Sequence, residues 1–508
     1  MLKLGIAEIF GNNMVLQQGV SVEIWGTGEP DTEVVIRIQD FECAVRVDKQ
    51  GKWRTAISPL HVDRKIQLSV SDKSENIILE NISVGEVFIA GGQSNMEFYM
   101  RYDKDFDIEV KNCKNEDIRF FDYPVYSTEK VRQVKDFSLF GYWRPCDEEN
   151  LQYYSAVAYY FAKNLQKALD VPIGIIGCNC GGTRCCCWMD ESYVEKYGEL
   201  WLDDYTEGLK KIKDYKAQEE AYLNNSFTDK SRPFDNPMVD RMMYGIPKDE
   251  LEMIFRNMGE SGGNIIGPWH EWRPGGLYHT MVQKIAPFTV RGVIWYQGES
   301  DEDHPEIFAS MIEGLVTCWR QEFKANLPFL MVQLAPFGEV IGNGGKYYPY
   351  LREQQKKAAD SLDKIYLISS SDVGSDYDIH PKEKEPIGER LALMARGRIY
   401  NENLLCAAPE FMSVERKKSK VMIRLSNSQG LYISGDKVNA LRIFVCDTEQ
   451  ELGADEYTVS VVSDGIQISL SEKMNGKKLK VYFAKDPFYK VNLYNAAHIP
   501  AMPFKVEI

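Results

Sequence analysis

Residues 85–98 read GEVFIAGGQSNMEF, an apolar strand from Val87 to Ala90 that runs into two glycines and then Gln93, Ser94, Asn95 and Met96. A compact apolar run ending in a glycine turn suits a buried parallel strand, and open α/β sheets bind their ligands at that carboxyl edge. Similar runs recur at VPIGIIG, VIWY, PFLMVQLA and KIYLISS, alternating with helical stretches such as SAVAYYFAKNLQKAL and IGERLALMARGRIY. The alternation predicts an α/β domain over 85–403 with a mostly parallel sheet covered on both faces.

Outward from this core the pattern changes. Residues 1–84 show short alternating strands such as VSVEIWG and TEVVIRIQ, which predict an N-terminal antiparallel β-domain. Strand-like alternation returns over 404–508 in KVMIRLS, LRIFVCD and LKVYFAK, a C-terminal β-region. About residues 197–265 a charged, helix-prone stretch breaks the rhythm and reads as an insertion. It joins two loops expected at the same sheet edge, so it should emerge beside any site there.

Composition narrows the function classes. Of 508 residues 44% are hydrophobic, enough for packed cores, and 60 Lys and Arg against 75 Asp and Glu leave a net charge of −15. That balance argues against nucleic acid and anionic membrane surfaces as partners. No apolar run approaches the length of a membrane span. In the opening MLKLGIAEIFGNN, Glu8 interrupts what would have to be a signal peptide's apolar region, so the expected location is cytoplasmic. Eleven cysteines include five at Cys178, Cys180, Cys185, Cys186 and Cys187. With no second cluster at zinc-site spacing, reduced thiols are preferred to a metal site.

Three more segments carry chemistry. Ser94 alone reads equally well as a helix N-cap or as a nucleophile. Its neighbour Met96 replaces the second glycine of a Gly-x-Ser-x-Gly elbow, which disfavours the α/β-hydrolase fold. VIWYQGESDEDHP ends another strand with Gln297, Gly298, Glu299 and Ser300, and a buried Gln amide suits an oxyanion. Gly181 and Gly182 end a third strand and offer backbone N–H groups to the same hole. Finally, Asp378 and His380 precede a helix in DIHP, where an acid would hold the imidazole's tautomer.

Together these motifs resemble the sialate O-acetylesterase family of SGNH-type hydrolases. The resemblance rests on GGQSNMEF at 91–98, GGT at 181–183, RGVIWYQGESD at 291–301, PFLMVQLAP at 328–336 and DIHP at 378–381. NNMVLQQ from residue 12, RPGGLYHTMV, LREQQ at 351–355 and LYNAAHIPAMPF near the C-terminus extend it over nearly the whole chain. Two departures stand out: the glycine loop is rich in cysteine, and His498 occupies a usual glycine position.

The resemblance implies an SGNH three-layer α/β/α catalytic domain and a serine esterase that removes O-acetyl groups from carbohydrate. O-acetylated sialic acid is the first substrate it suggests, with acetylated xylan or mannan the alternative and a non-catalytic carbohydrate-binding protein more remote. It implies Ser94 as nucleophile, His380 as general base and Asp378 as orienting acid, with Glu299 or Asp376 able to share that role. Many SGNH enzymes carry the acid three residues before the histidine, where this chain has Tyr377. Ser94, Gly182 and Gln297 would form the oxyanion hole, and Gln93 and Asn95 would bind sugar hydroxyls or brace the loop. Trp188, Trp269, Trp272 and Tyr296 are candidates for stacking on a sugar ring. The chemistry implies no metal or organic cofactor, and oligomeric state is not legible.

Overall fold

The computed structural model describes residues 3–225, 229–259, 266–338 and 345–508. Its centre is the seven-strand path of an eleven-stranded sheet, here β1 (Asn76–Gly92), β2 (Asn115–Asp122), β3 (Trp143–Cys146), β4 (Ile173–Asn179), β5 (Gly292–Tyr296), β6 (Phe329–Val332) and β7 (Ile365–Ile368). They lie in the order β3-β2-β4-β1-β5-β6-β7, parallel throughout except for the edge strand β3. The chain leaves β1 toward one side and later returns to its other side with β5. Strand order therefore reverses around β1, and such a point opens a crevice at the strands' carboxyl ends.

β1 explains how the N-terminal region joins this sheet. Its first half alternates between exposed and half-buried residues and pairs antiparallel with Asp63–Ser71, whereas every residue from Ser83 onward is buried. One strand thus crosses residue 84 without a break, and the N-terminal strands share an apolar core with the central sheet. The change from alternating to continuous apolar character marks where one-sided burial becomes two-sided.

Helices pack around the sheet in two groups. The helix α2 (Ala156–Leu169) lies against α6 (Glu385–Arg398), and its Phe161 meets Phe88 of β1 edge-on. The helix α4 (Phe308–Glu322) packs on α3 (Glu191–Lys210) and α5 (Tyr348–Ser361), and its Trp319 meets Trp295 of β5. Trp295 stands level with Gly91, three residues from Phe88. Side chains alternate along a strand, so Phe88 and Gly91 face opposite sides of the sheet.

Residues 410–507 form three further antiparallel sheets, of four, three and two strands, around a separate apolar core. They are tied to the central domain by backbone bonds such as Val491 N–H to the Ser371 carbonyl, and by Arg352, which donates to the Asp486 carbonyl at 2.7 Å. No helix among the described residues is long and apolar enough to cross a membrane. All eleven cysteines are free, and the five between 178 and 187 are buried. The insertion supplies α3 and three shorter helices, the first of which starts at Glu191 rather than near 197.

Candidate active site

The carboxyl ends of β1, β4 and β5 meet at one place. β1 leads through Gly92 to a short helix α1 (Ser94–Glu97), β4 to Gly181 and Gly182, and β5 to Gln297. Gly92 sits at φ +139°, and a Cβ there would lie 2.1 Å from the Tyr296 carbonyl oxygen. Only glycine lets β1 turn so close to β5.

Ser94 is half-buried at the first position of α1, so its backbone N–H has no helical acceptor. Neither the Ser94 N–H nor the Gly182 N–H meets an acceptor among the described residues, whereas the Gly181 N–H is taken by the Glu97 carboxylate. A Cβ built on Gly181 would come 3.3 Å from the Ser94 Cβ, so the two loops touch. Two free donors beside a hydroxyl suit the negative oxygen of a tetrahedral intermediate.

The loop bearing His380 is held to the serine's own helix. Asn95, fully buried beside Ser94, donates to the Ile379 carbonyl at 3.0 Å and to Glu299 Oε1 at 2.6 Å, and its Oδ1 accepts from Lys384 Nζ at 2.6 Å. A residue adjoining Ser94 is thereby bonded to the residue preceding His380. Ser94 Oγ and the imidazole are not hydrogen-bonded to each other, as happens in unliganded sites that tighten around substrate. Burial, with help from the Lys384 and Lys382 cations, pushes His380 down to about 3.

That shift has a measurable consequence. A general base must be neutral, and His380 stays neutral far below the ordinary imidazole value of about 6.5. We expect kcat/KM at pH 5 to stay within about twofold of its value at pH 7, where an unshifted imidazole would lose about twentyfold. A pH–rate profile falling with a midpoint near 6.5 would refute the shift.

Several expected roles come out differently. Asp378 does not reach the imidazole: Oδ1 accepts from the His380 backbone N–H at 2.9 Å and Oδ2 pairs with Lys382 at 3.0 Å. Its two-residue spacing favours capping the backbone over orienting the ring. Among the described residues no carboxylate accepts from that ring, Glu299 and Asp376 included. Gln93 braces the loops, accepting from the Gly298, Ser300 and Gln297 N–H groups and donating to Ser300. Asn95 is likewise a brace, so for both residues the structure shows bracing, one of the two roles expected of them.

Gln297 is fully buried, and its amide donates to Asp301, to the Thr183 carbonyl and to Gln93, leaving no N–H for an oxyanion. Burial raises Asp301 to about 7. Gln297→Ala should remove the main side-chain donor to that buried carboxyl and cost about 1–3 kcal/mol, visible as a lower Tm. A loss of kcat at unchanged Tm would return Gln297 to the oxyanion hole.

Among the four aromatic candidates, Trp188 and Tyr296 are core, Trp269 packs against Tyr215, and Trp272 lines a cleft beside Gly182. The insertion contacts the segment that follows α1: Phe234 meets Tyr99 edge-on, and Asp240 accepts from the Tyr102 hydroxyl at 2.8 Å. Lys384 was not foreseen. It lies four residues beyond His380, and its value is pushed down to about 7 mainly by burial.

Comparison with known proteins agrees with the motifs. Residues 258–395 match the family model described as carbohydrate esterase, sialic acid-specific acetylesterase. The chain is 24% identical over 480 residues to a sialate O-acetylesterase of Mus musculus, covering 87% of this chain and 82% of that protein. It is 22% identical over 500 residues to the Homo sapiens sialate O-acetylesterase, covering 90% and 83%. A solved carbohydrate acetylesterase from Xanthomonas citri shares the fold, with a TM-score of 0.76 and 24% identity over 99% of each chain. The resemblance to the sialate O-acetylesterase family therefore holds along the chain as well as at its motifs.

Proposed function

We propose that this carbohydrate esterase, a relative of the sialate O-acetylesterases, hydrolyses O-acetyl groups of sugars through an acetyl-serine at Ser94. The observation that carries the reading is the pair of unengaged N–H groups, on Ser94 and Gly182, beside a half-buried serine at the sheet's switch point. Ser94 Oγ attacks the acetyl carbonyl while His380 takes its proton, and the two N–H groups receive the negative oxygen. Collapse expels the sugar hydroxyl, protonated by the imidazolium. Water, deprotonated by His380, then attacks the acetyl-serine and releases acetate.

The three-layer arrangement of SGNH hydrolases belongs to this reading, supported by helices meeting β1 and β5 from opposite sides. So does a division into 1–84, 85–403 and 404–508, although β1 runs across the first boundary. Relatives' names favour O-acetylated sialic acid as substrate. Acetylated neutral polysaccharide is the second reading, favoured by the acidic cleft beside Gly182. Acetate release from acetylated saccharides by wild type, set against 4-nitrophenyl acetate hydrolysis, tests the activity. Binding of saccharide without release of acetate would favour a non-catalytic binding protein.

A further inference from the structure

The cleft beside the oxyanion glycine has a volume of about 700 Å³. Gly182 and Trp272 form one side, and Glu299, Glu302, Asp303 and Glu306 contribute carboxylates to the rest. Arg184 is the one guanidinium among the described lining residues, and it is already engaged: it donates to Asp303 at 2.8 Å and lies 4.4 Å over the Trp201 ring. Glu299 is more than nine-tenths buried, with one oxygen held by Asn95 and the other, Oε2, lacking any hydrogen-bond partner.

A second hollow of about 270 Å³ continues the first, sharing Arg184 and Trp272. Trp201 and Tyr205 wall it, with Asp204 and Lys211 at its sides. The two hollows adjoin at Arg184 and Trp272 and make a groove that runs from beside Gly182 to Tyr205 and to Trp201, whose ring Arg184 covers.

Carboxylates accept hydrogen bonds from sugar hydroxyls, and aromatic faces take the C–H side of a sugar ring. A carboxylated sugar in the first chamber would bring a further negative charge to a wall whose one guanidinium, Arg184, already pairs with Asp303 and leaves three carboxylates, Glu299, Glu302 and Glu306, without it. Low-dielectric walls strengthen that repulsion. We propose that the groove binds an uncharged O-acetylated oligosaccharide across at least two sugar residues, and that its acidic wall excludes sugars bearing a carboxylate. The inference rests on the esterase reading for the position of the acetyl group, while binding tests it separately.

Calorimetry on the full-length Ser94→Ala protein would use two probes, O-acetylated xylotriose and 9-O-acetyl-N-acetylneuraminic acid. The neutral trisaccharide should bind at least about tenfold tighter. Glu306→Lys in the same background should tighten the sialic acid severalfold and leave the trisaccharide within about twofold. Tyr205→Ala should weaken acetylated xylotriose but not acetylated xylose; Trp201→Phe, a milder change, should do the same to a smaller degree. Equal or tighter binding of the sialic acid, or no response to Glu306→Lys, would overturn the charge selection. Equal losses for xylose and xylotriose would overturn the second sugar position. Failure of the wild type to hydrolyse 4-nitrophenyl acetate would instead strike the esterase reading.

Discussion

Ser94→Ala is expected to lower kcat on an acetyl ester by about 10⁶-fold, and His380→Ala by a similar factor, with the double variant no worse than either. The two groups act as one device: a serine without its base remains a weak nucleophile, and a base without the serine has only water to activate. Residual activity in all three should come from the Ser94 and Gly182 backbone donors, which none of the changes removes. The folding cost should be small, because Ser94 is half-buried and its side chain makes no hydrogen bond among the described residues. Steady-state kinetics on 4-nitrophenyl acetate decides the matter. A double variant far slower than each single would mean that the residues serve separate steps.

The second large effect is expected at Gly182. This residue holds φ +75°, a conformation that side-chain-bearing residues avoid, and a Cβ there would lie 2.4 Å from a ring carbon of Trp272. Gly182→Ala must turn the peptide or displace the indole, and either movement takes the Gly182 N–H off the oxyanion. Loss of one such donor lowers kcat by about 10²–10³-fold, with a smaller change in KM. Trp272→Ala combined with Gly182→Ala should recover part of the loss on the small ester, because it removes the collision while keeping the backbone. A Gly182→Ala protein with wild-type kcat would show that this N–H takes no part.

Much of the fold is legible in the chain itself, for a physical reason. Buried parallel strands are continuous apolar runs, so VFIA, VIWY and KIYLISS announce the sheet, and the glycines and polar residues at the end of VFIA and VIWY mark the edge where a ligand would sit. The roles of those polar groups are harder to read. Gln93, Asn95 and Gln297 are each suited in sequence both to contact a ligand and to tie loops together, and each uses its amide to bind another loop. A side-chain amide donates and accepts alike, and its partners depend on which loops the fold brings near. Asp378 misleads for a local reason: an acid two residues before another most easily reaches that residue's own N–H. Lys384 carries no signal in a charged stretch, KEKE, whose other members face water or partners of their own. It is buried where the helix start comes over Phe98 and Asn95, with Nζ 4.5 Å from the Phe98 ring. The strand crossing residue 84 is invisible as a single element because its two halves obey different burial rules.

The central claim is that the acetyl group passes through Ser94. Mixing wild-type protein with an excess of 4-nitrophenyl acetate, quenching with acid within the first turnovers, and sequencing the peptides by mass spectrometry tests it directly. The account predicts one acetyl group on Ser94, absent from Ser94→Ala and formed with a burst of 4-nitrophenol about equal to the enzyme concentration if deacylation is the slower step. An acetyl group carried on another residue whose replacement abolishes turnover, or full activity in Ser94→Ala, would contradict it.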